Sequence, residues 1–204
     1  MKKLLVFAVM LAQPWATFAQ GRVNFANVGF AIQTNFSALP YGTVGAADFA
    51  RSPLRIGLFI GAAGEINPAN LSLALNNADG SFAWATNRSV PFAGLFNGGN
   101  NFEIKGNLGN PISFQIRAWS LAYLTFSEAE IAGLVGTPGV WLGASTIGSV
   151  TPATGITPTP NLFGTQSGQV GAFAVYPTLI GPEPSSIALG LLGMSAILLL
   201  RRRK

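Results

Sequence analysis

Neither cysteine nor histidine occurs in the 204-residue chain. Without cysteine there is no disulfide, so stability must come from core burial and sheet pairing. The absence of histidine excludes more. Ser-His-Asp and Cys-His catalysis are ruled out, together with every zinc site built from imidazole or thiolate, and only carboxylates remain as obvious acids or bases. Charge is scarce as well, at 9% of residues. The net charge of +5 belongs to the two ends, where Lys2, Lys3, Arg201, Arg202, Arg203 and Lys204 outnumber Glu183 by that whole amount. In the middle, Arg22, Arg51, Arg55, Arg88, Lys105 and Arg117 are balanced by Asp48, Glu65, Asp79, Glu103, Glu128 and Glu130. A neutral, sparsely charged body lacks the electrostatic footprint of a nucleic-acid binder, and that partner class is excluded.

The most legible stretch is the C-terminal tail. Pro182, Glu183 and Pro184 precede an uncharged, almost wholly apolar run over 187–200, which is closed by Arg201, Arg202, Arg203 and Lys204. In water that run would expose a large apolar surface, and a membrane is its natural solvent. Cations at the end of such a helix stay on the cytoplasmic side, which places the preceding chain outside. A helix over 187–200 would be only about 21 Å long at about 1.5 Å per residue, against roughly 30 Å of hydrocarbon. Snorkelling arginines and local thinning cover that mismatch for temporary residence better than for a permanent span. The two prolines keep the preceding segment extended, as a processing enzyme requires of its substrate.

These three parts, in this order, resemble the PEP-CTERM sorting signal of Gram-negative bacteria. The resemblance covers 182–204, with Gly181 standing where the family often has valine. It implies recognition by an exosortase, a membrane-embedded transpeptidase-like enzyme, and an exported protein of the kind often associated with exopolysaccharide. An ordinary C-terminal anchor that no enzyme reads is the alternative.

The N-terminal end reads as a second targeting segment, a signal peptide over 1–19. Lys2 and Lys3 supply its positive region and 4–12 its apolar region. Pro14 breaks the helix ahead of a small-residue site, with cleavage expected between Ala19 and Gln20. Export through Sec-type machinery follows from this. Roughly 160 residues remain over 20–181, enough for one single-core domain.

That domain reads as all-β. Alternation over 54–61 puts Leu54, Ile56, Leu58 and Ile60 on one face and Arg55 on the other. The pattern sharpens over 112–120, with Ile112, Phe114, Ile116 and Ala118 opposite Ser113, Gln115, Arg117 and Trp119. Further strands are expected over 22–26, 82–87, 101–105, 140–145 and 170–176, joined by turns such as Asp79-Gly80. Ser127-Glu128-Ala129-Glu130 has capping-box spacing, which predicts one short helix with Ser127 as cap and Glu130 reaching back. The Thr-, Pro- and Gly-rich stretch 148–168 is expected to be a surface loop. Together these predict an antiparallel β-sandwich or jelly-roll-like domain with one short helix, followed by the C-terminal hydrophobic helix. The runs 114–120, 126–129 and 143–145 are similar in a general way to β-rich exported domains that precede this sorting signal; no activity comes with that similarity.

No catalytic residue stands out. Glycoside hydrolysis needs two facing carboxyls, but Glu128 and Glu130 are two apart on a helix and point to different sides. The loop Asn76-Asn77-Ala78-Asp79-Gly80 offers oxygens for calcium, yet it lacks the acid run and terminal glutamate of an EF-hand, and turn chemistry accounts for it. No metal or cofactor is expected. Asn35, Asn70 and Asn87 begin N-glycosylation sequons that carry no meaning in a bacterial chain. The leading reading is a non-enzymatic cell-surface or matrix protein, released or transferred after processing of its tail. The alternative is an exopolysaccharide-binding module using the flat faces of Trp84, Trp119 and Trp141; a tryptophan at position 119 has packing beneath the helix or a loop as its other use.

Overall fold

The computed structural model describes residues 20–35, 44–47, 50 and 52–177. Residues 1–19, expected to be a signal peptide, the Pro182-Glu183-Pro184 motif, the apolar run and the four terminal cations lie outside the described residues. In chain order the strands are β1 (Gly21–Val23), β2 (Gln33–Asn35), β3 (Val44–Ala46), β4 (Leu54–Ala62), β5 (Ser72–Leu73), β6 (Trp84–Thr86), β7 (Phe102–Ile104), β8 (Ile112–Ser120), β9 (Trp141–Ala144), β10 (Gly148–Val150) and β11 (Ala174–Pro177). A 3-10 turn spans Pro68–Asn70, and helix α1 spans Phe126–Leu134. The chain is thus mostly β with one α-helix among the described residues.

β4 and β8 are the spine. They pair antiparallel along their whole length, from Leu54 opposite Ser120 to Ala62 opposite Ile112. Around them the larger sheet runs β3-β2-β11-β9-β8-β4-β5, with β10 also on β8 and β6 also on β4. β1 and β7 form a separate two-stranded sheet. The even-numbered side chains of the spine, among them Leu54, Ile56, Leu58, Phe114 and Ile116, join Val23, Phe25, Phe102 and Ile104 from the small sheet in the main core. Each such side chain contributes roughly 1.5–3 kcal/mol on burial.

The other face of the spine is not solvated. Phe59 and Trp119 pack with Ala129 of α1 and with Val140 in a second, smaller core, so β8 is buried on both faces apart from Arg117. This corrects the expectation of a polar outer face. Gly57 makes room for it, since a Cβ there would lie 2.9 Å from Leu73 and 3.0 Å from the Trp119 ring.

Three further expectations are corrected. The helix is capped by Thr125, whose hydroxyl accepts from the Glu128 amide at 3.2 Å while Glu128 accepts from the Thr125 amide at 3.3 Å. Ser127 and Glu130 therefore fall two positions past the cap and its partner. α1 ends at Leu134, and the left-handed Gly136 (φ 76°) turns the chain away. The stretch 148–168 is not a plain surface loop: β10 pairs with β8, Ala153 bridges Arg22, and Leu162 and Phe163 enter the main core. Finally, the sheet is not wholly antiparallel, because β11 pairs parallel with β2.

Two buried asparagines tie these layers together. Asn27 donates to the Phe30 and Gly94 carbonyls, both at 2.9 Å, and accepts from the Phe96 amide. Asn87 accepts from the Leu54 amide at 2.8 Å and donates to the carbonyls of Ala47 and Ser52. The side-chain nitrogen of the Asn87 sequon is therefore consumed inside the fold.

Candidate functional site

A cleft of about 530 Å³ opens on the α1 side of the sheet, between the helix and β6. Phe59, Leu73 and Trp119 line it from the sheet, Phe82 and Trp84 from around β6, and Leu124 and Phe126 from the helix entry. Its other helix-side lining residues include Glu128 and Glu130. A second cleft of about 520 Å³ shares Arg117, Phe126 and Glu130 with it and extends to Asn67, Pro68 and Gln115. The two clefts adjoin at these shared residues as one groove, its first end largely aromatic and its second a mixture of polar and apolar side chains.

Arg117 stands where the two ends meet. Its guanidinium lies 4.2 Å from the centre of the Phe59 ring and 5.2 Å from that of Phe126. Nε donates to Gln115 Oε1 at 2.9 Å, and a terminal nitrogen donates to the Pro68 carbonyl. Gln115 is held in turn by the Ser145 carbonyl at 2.9 Å. Burial lowers the Arg117 pKa, and the charge of Glu130 works in the opposite direction. Arginine remains charged under such a shift, so the groove holds a fixed cation between two rings.

The three tryptophans do not act together. Trp119 is 0% exposed, donates from Nε1 to the Tyr123 carbonyl at 3.1 Å, and meets Phe59 and Phe126 edge to face. Trp141 is buried in the main core. Neither presents a flat face to a sugar, and both expectations of carbohydrate contact are corrected on that ground. Trp84 is 38% exposed and lines the groove, with the Arg55 guanidinium 4.1 Å over its ring and Phe82 beside it. Sequence reasoning missed Phe82 and Phe126 as groove residues. The aromatic alternation around Trp84 was the available signal.

Two of the carboxylates are occupied locally. Glu65 accepts from the Asn67 amide at 2.7 Å and from the Asn70 side chain at 2.8 Å, which lowers its pKa. Asp79 accepts from the Ser81 hydroxyl at 2.6 Å and from the Ser81 amide at 2.9 Å, with the same effect. Asp79-Gly80 is a turn closed by its own side chain, with Gly80 at φ 70°. Among the described residues no cluster of three acidic side chains is placed to hold a metal, and no helix is long and apolar enough to cross a membrane. Gln20, the expected first residue after cleavage, is half-buried next to β1. No family model matches the chain, and no curated protein and no solved structure matches it.

Proposed function

We propose that the chain is an exported protein of structural or interaction type, carried outward by its N-terminal segment and processed at its C-terminal tail by an exosortase-type enzyme. It acts at the cell surface or in the extracellular matrix and performs no catalysis. The observation that carries this reading is the ordered tail: Pro182-Glu183-Pro184, an apolar run of sub-membrane length, and four consecutive cations. The domain before it is read as an unequal β-sandwich, the two-stranded sheet facing the large one across the main core. Glu65, Asp79 and Glu128 serve turns and a helix cap, which fits a scaffold better than an active site.

Fractionation of Glu183→Ala beside wild type tests the reading. The substitution leaves the apolar run and the cations untouched, so insertion survives while processing is lost and the variant accumulates at full size in the inner membrane. Arrival of both proteins in the same compartment at the same size would reject the sorting signal. Mass spectrometry of the native protein is expected to give an N-terminus at Gln20 and no Arg201, Arg202, Arg203 or Lys204.

A second reading is favoured by one observation, the groove beside Trp84. Its aromatic end suits the C–H face of a pyranose ring, and Arg117 and Glu130 suit hydroxyls. The ligand class would be exopolysaccharide. Affinity electrophoresis against a broad polysaccharide panel, with no retardation by any member, would reject it.

A further inference from the structure

We infer that the C-terminal end of α1 and the neighbouring end of β11 form a membrane-contact face, on which Ile131, Leu134, Val135 and Tyr176 rest in the headgroup region of a bilayer. This rests on the proposed insertion of 187–200. Leu134 is 87% exposed, Val135 76%, Ile131 59% and Tyr176 49%. The first three recur at i, i+3 and i+4, one side of a helix. The inward side of the same helix is used by Ala129, Phe126 and Ala132 against the sheet. This exposed side therefore has no role in the domain's own packing.

Tyr176 belongs to the same surface by register. It pairs with Leu142 of β9, and directly paired residues project to the same face of a sheet. Leu142 packs into the small core under α1, so Tyr176 emerges on the α1 side. Pro177 pairs with Trp141, which follows the end of α1 after a short connection, so the exit from β11 and the end of the helix share one end of the sheet. Only 178–186 separate that exit from the apolar run, a tether that spans at most roughly 30 Å. A domain held that close must turn some surface toward the bilayer. Residues 131–182 contain no charged side chain, so the stretch from the exposed helix end to the exit from β11 brings no ion of its own to be desolvated; Glu130, the nearest charge along the helix, lines the groove with Arg117. A tyrosine with an apolar ring and a wet hydroxyl suits that boundary.

The absence of cysteine makes the test direct, because one introduced thiol gives one spin label. The full chain is reconstituted in phosphatidylcholine vesicles with a label at Leu134→Cys, Ile156→Cys or Leu192→Cys. Ile156 is apolar and fully exposed, and its segment bridges β1 on the opposite side of the sheet. Leu134 and Ile156 are both exposed, so neither label removes core packing. The expected result is loss of nickel-chelate collisions, with oxygen collisions retained, at positions 134 and 192 but not at 156. Lipid-like accessibility at 192 with water-like accessibility at 134 would overturn the contact face and leave the anchor standing. Water-like accessibility at 192 would remove the anchor and the contact face together. Shielding of 134 from both reagents with dipolar broadening would assign the face to a second copy of the chain and overturn contact with lipid.

Discussion

Replacement of Trp119 by alanine separates the two uses of this side chain. The indole is fully buried between β8 and α1, in edge contact with Phe59 and Phe126. Truncating a buried Trp costs about 3–5 kcal/mol from lost transfer energy and the cavity left behind. Loss of the Nε1 bond to the Tyr123 carbonyl adds about 1 kcal/mol. Against a total stability of about 5–15 kcal/mol, that is a large fraction. At about 2–4 °C per kcal/mol for a chain of this size, the melting temperature falls by roughly 10–20 °C. Trp119→Phe retains most of the apolar contact and falls well short of that loss. Guanidinium unfolding followed by far-UV circular dichroism measures both. A cost below about 1 kcal/mol for Trp119→Ala would place the ring at the surface, where substitutions stay near 0.5 kcal/mol, and would overturn the two-core description.

Thr125→Ala removes the helix cap and is expected to cost about 1 kcal/mol, whereas Ser127→Ala stays within about 0.5 kcal/mol; equal losses in thermal unfolding would contradict the cap assignment. Asn87→Ala strands the Leu54 amide and two carbonyls in the interior, at about 1–3 kcal/mol for each buried group left unpaired, and chemical denaturation should show a loss near 3 kcal/mol or more. Glu65 and Asp79 have folded pKa values below their unfolded ones, so the stability they contribute is present at neutral pH and is lost as pH falls through the folded values. The acid limb of the stability curve should therefore flatten in Glu65→Gln with Asp79→Asn, and an unchanged limb would show that neither carboxylate carries the linkage.

Much of the architecture was legible because strands announce themselves by alternation. The span of β8 and nearly that of β4 followed from apolar residues at every second position, β7 from a shorter run of the same kind, and β9 from a short apolar run between turn residues. Residues 33–35 and 44–46 carry no alternation, since their strands are defined by partners brought from elsewhere: β2 lies beside β11 only after the chain has closed on itself. The polar, turn-rich composition of 148–168 likewise hid Leu162 and Phe163, whose inward placement depends on bridges to β1 and its neighbours. The helix was found from a capping pattern, but two overlapping patterns exist, and Thr125 with Glu128 prevailed over Ser127 with Glu130.

By itself, the sequence determined the chemistry that the chain lacks, the neutral charge balance of its body, the β character of the domain and the ordered tail from Pro182 to Lys204. These depend on residue identity and short-range spacing, which no later folding event alters. Tertiary structure decided which face of each strand meets what. A period-two pattern distinguishes two faces of β8 but cannot tell that α1 will fold back over the one bearing Arg117 and Trp119. The same fold-back put Trp119 out of solvent reach, left Trp84 at the mouth of a groove, and set Arg117 between Phe59 and Phe126, while Trp141 was taken up by the main core on the other face of the sheet. Contacts between residues dozens of positions apart made those choices, because burial is a property of the packed layers and not of the strand that enters them.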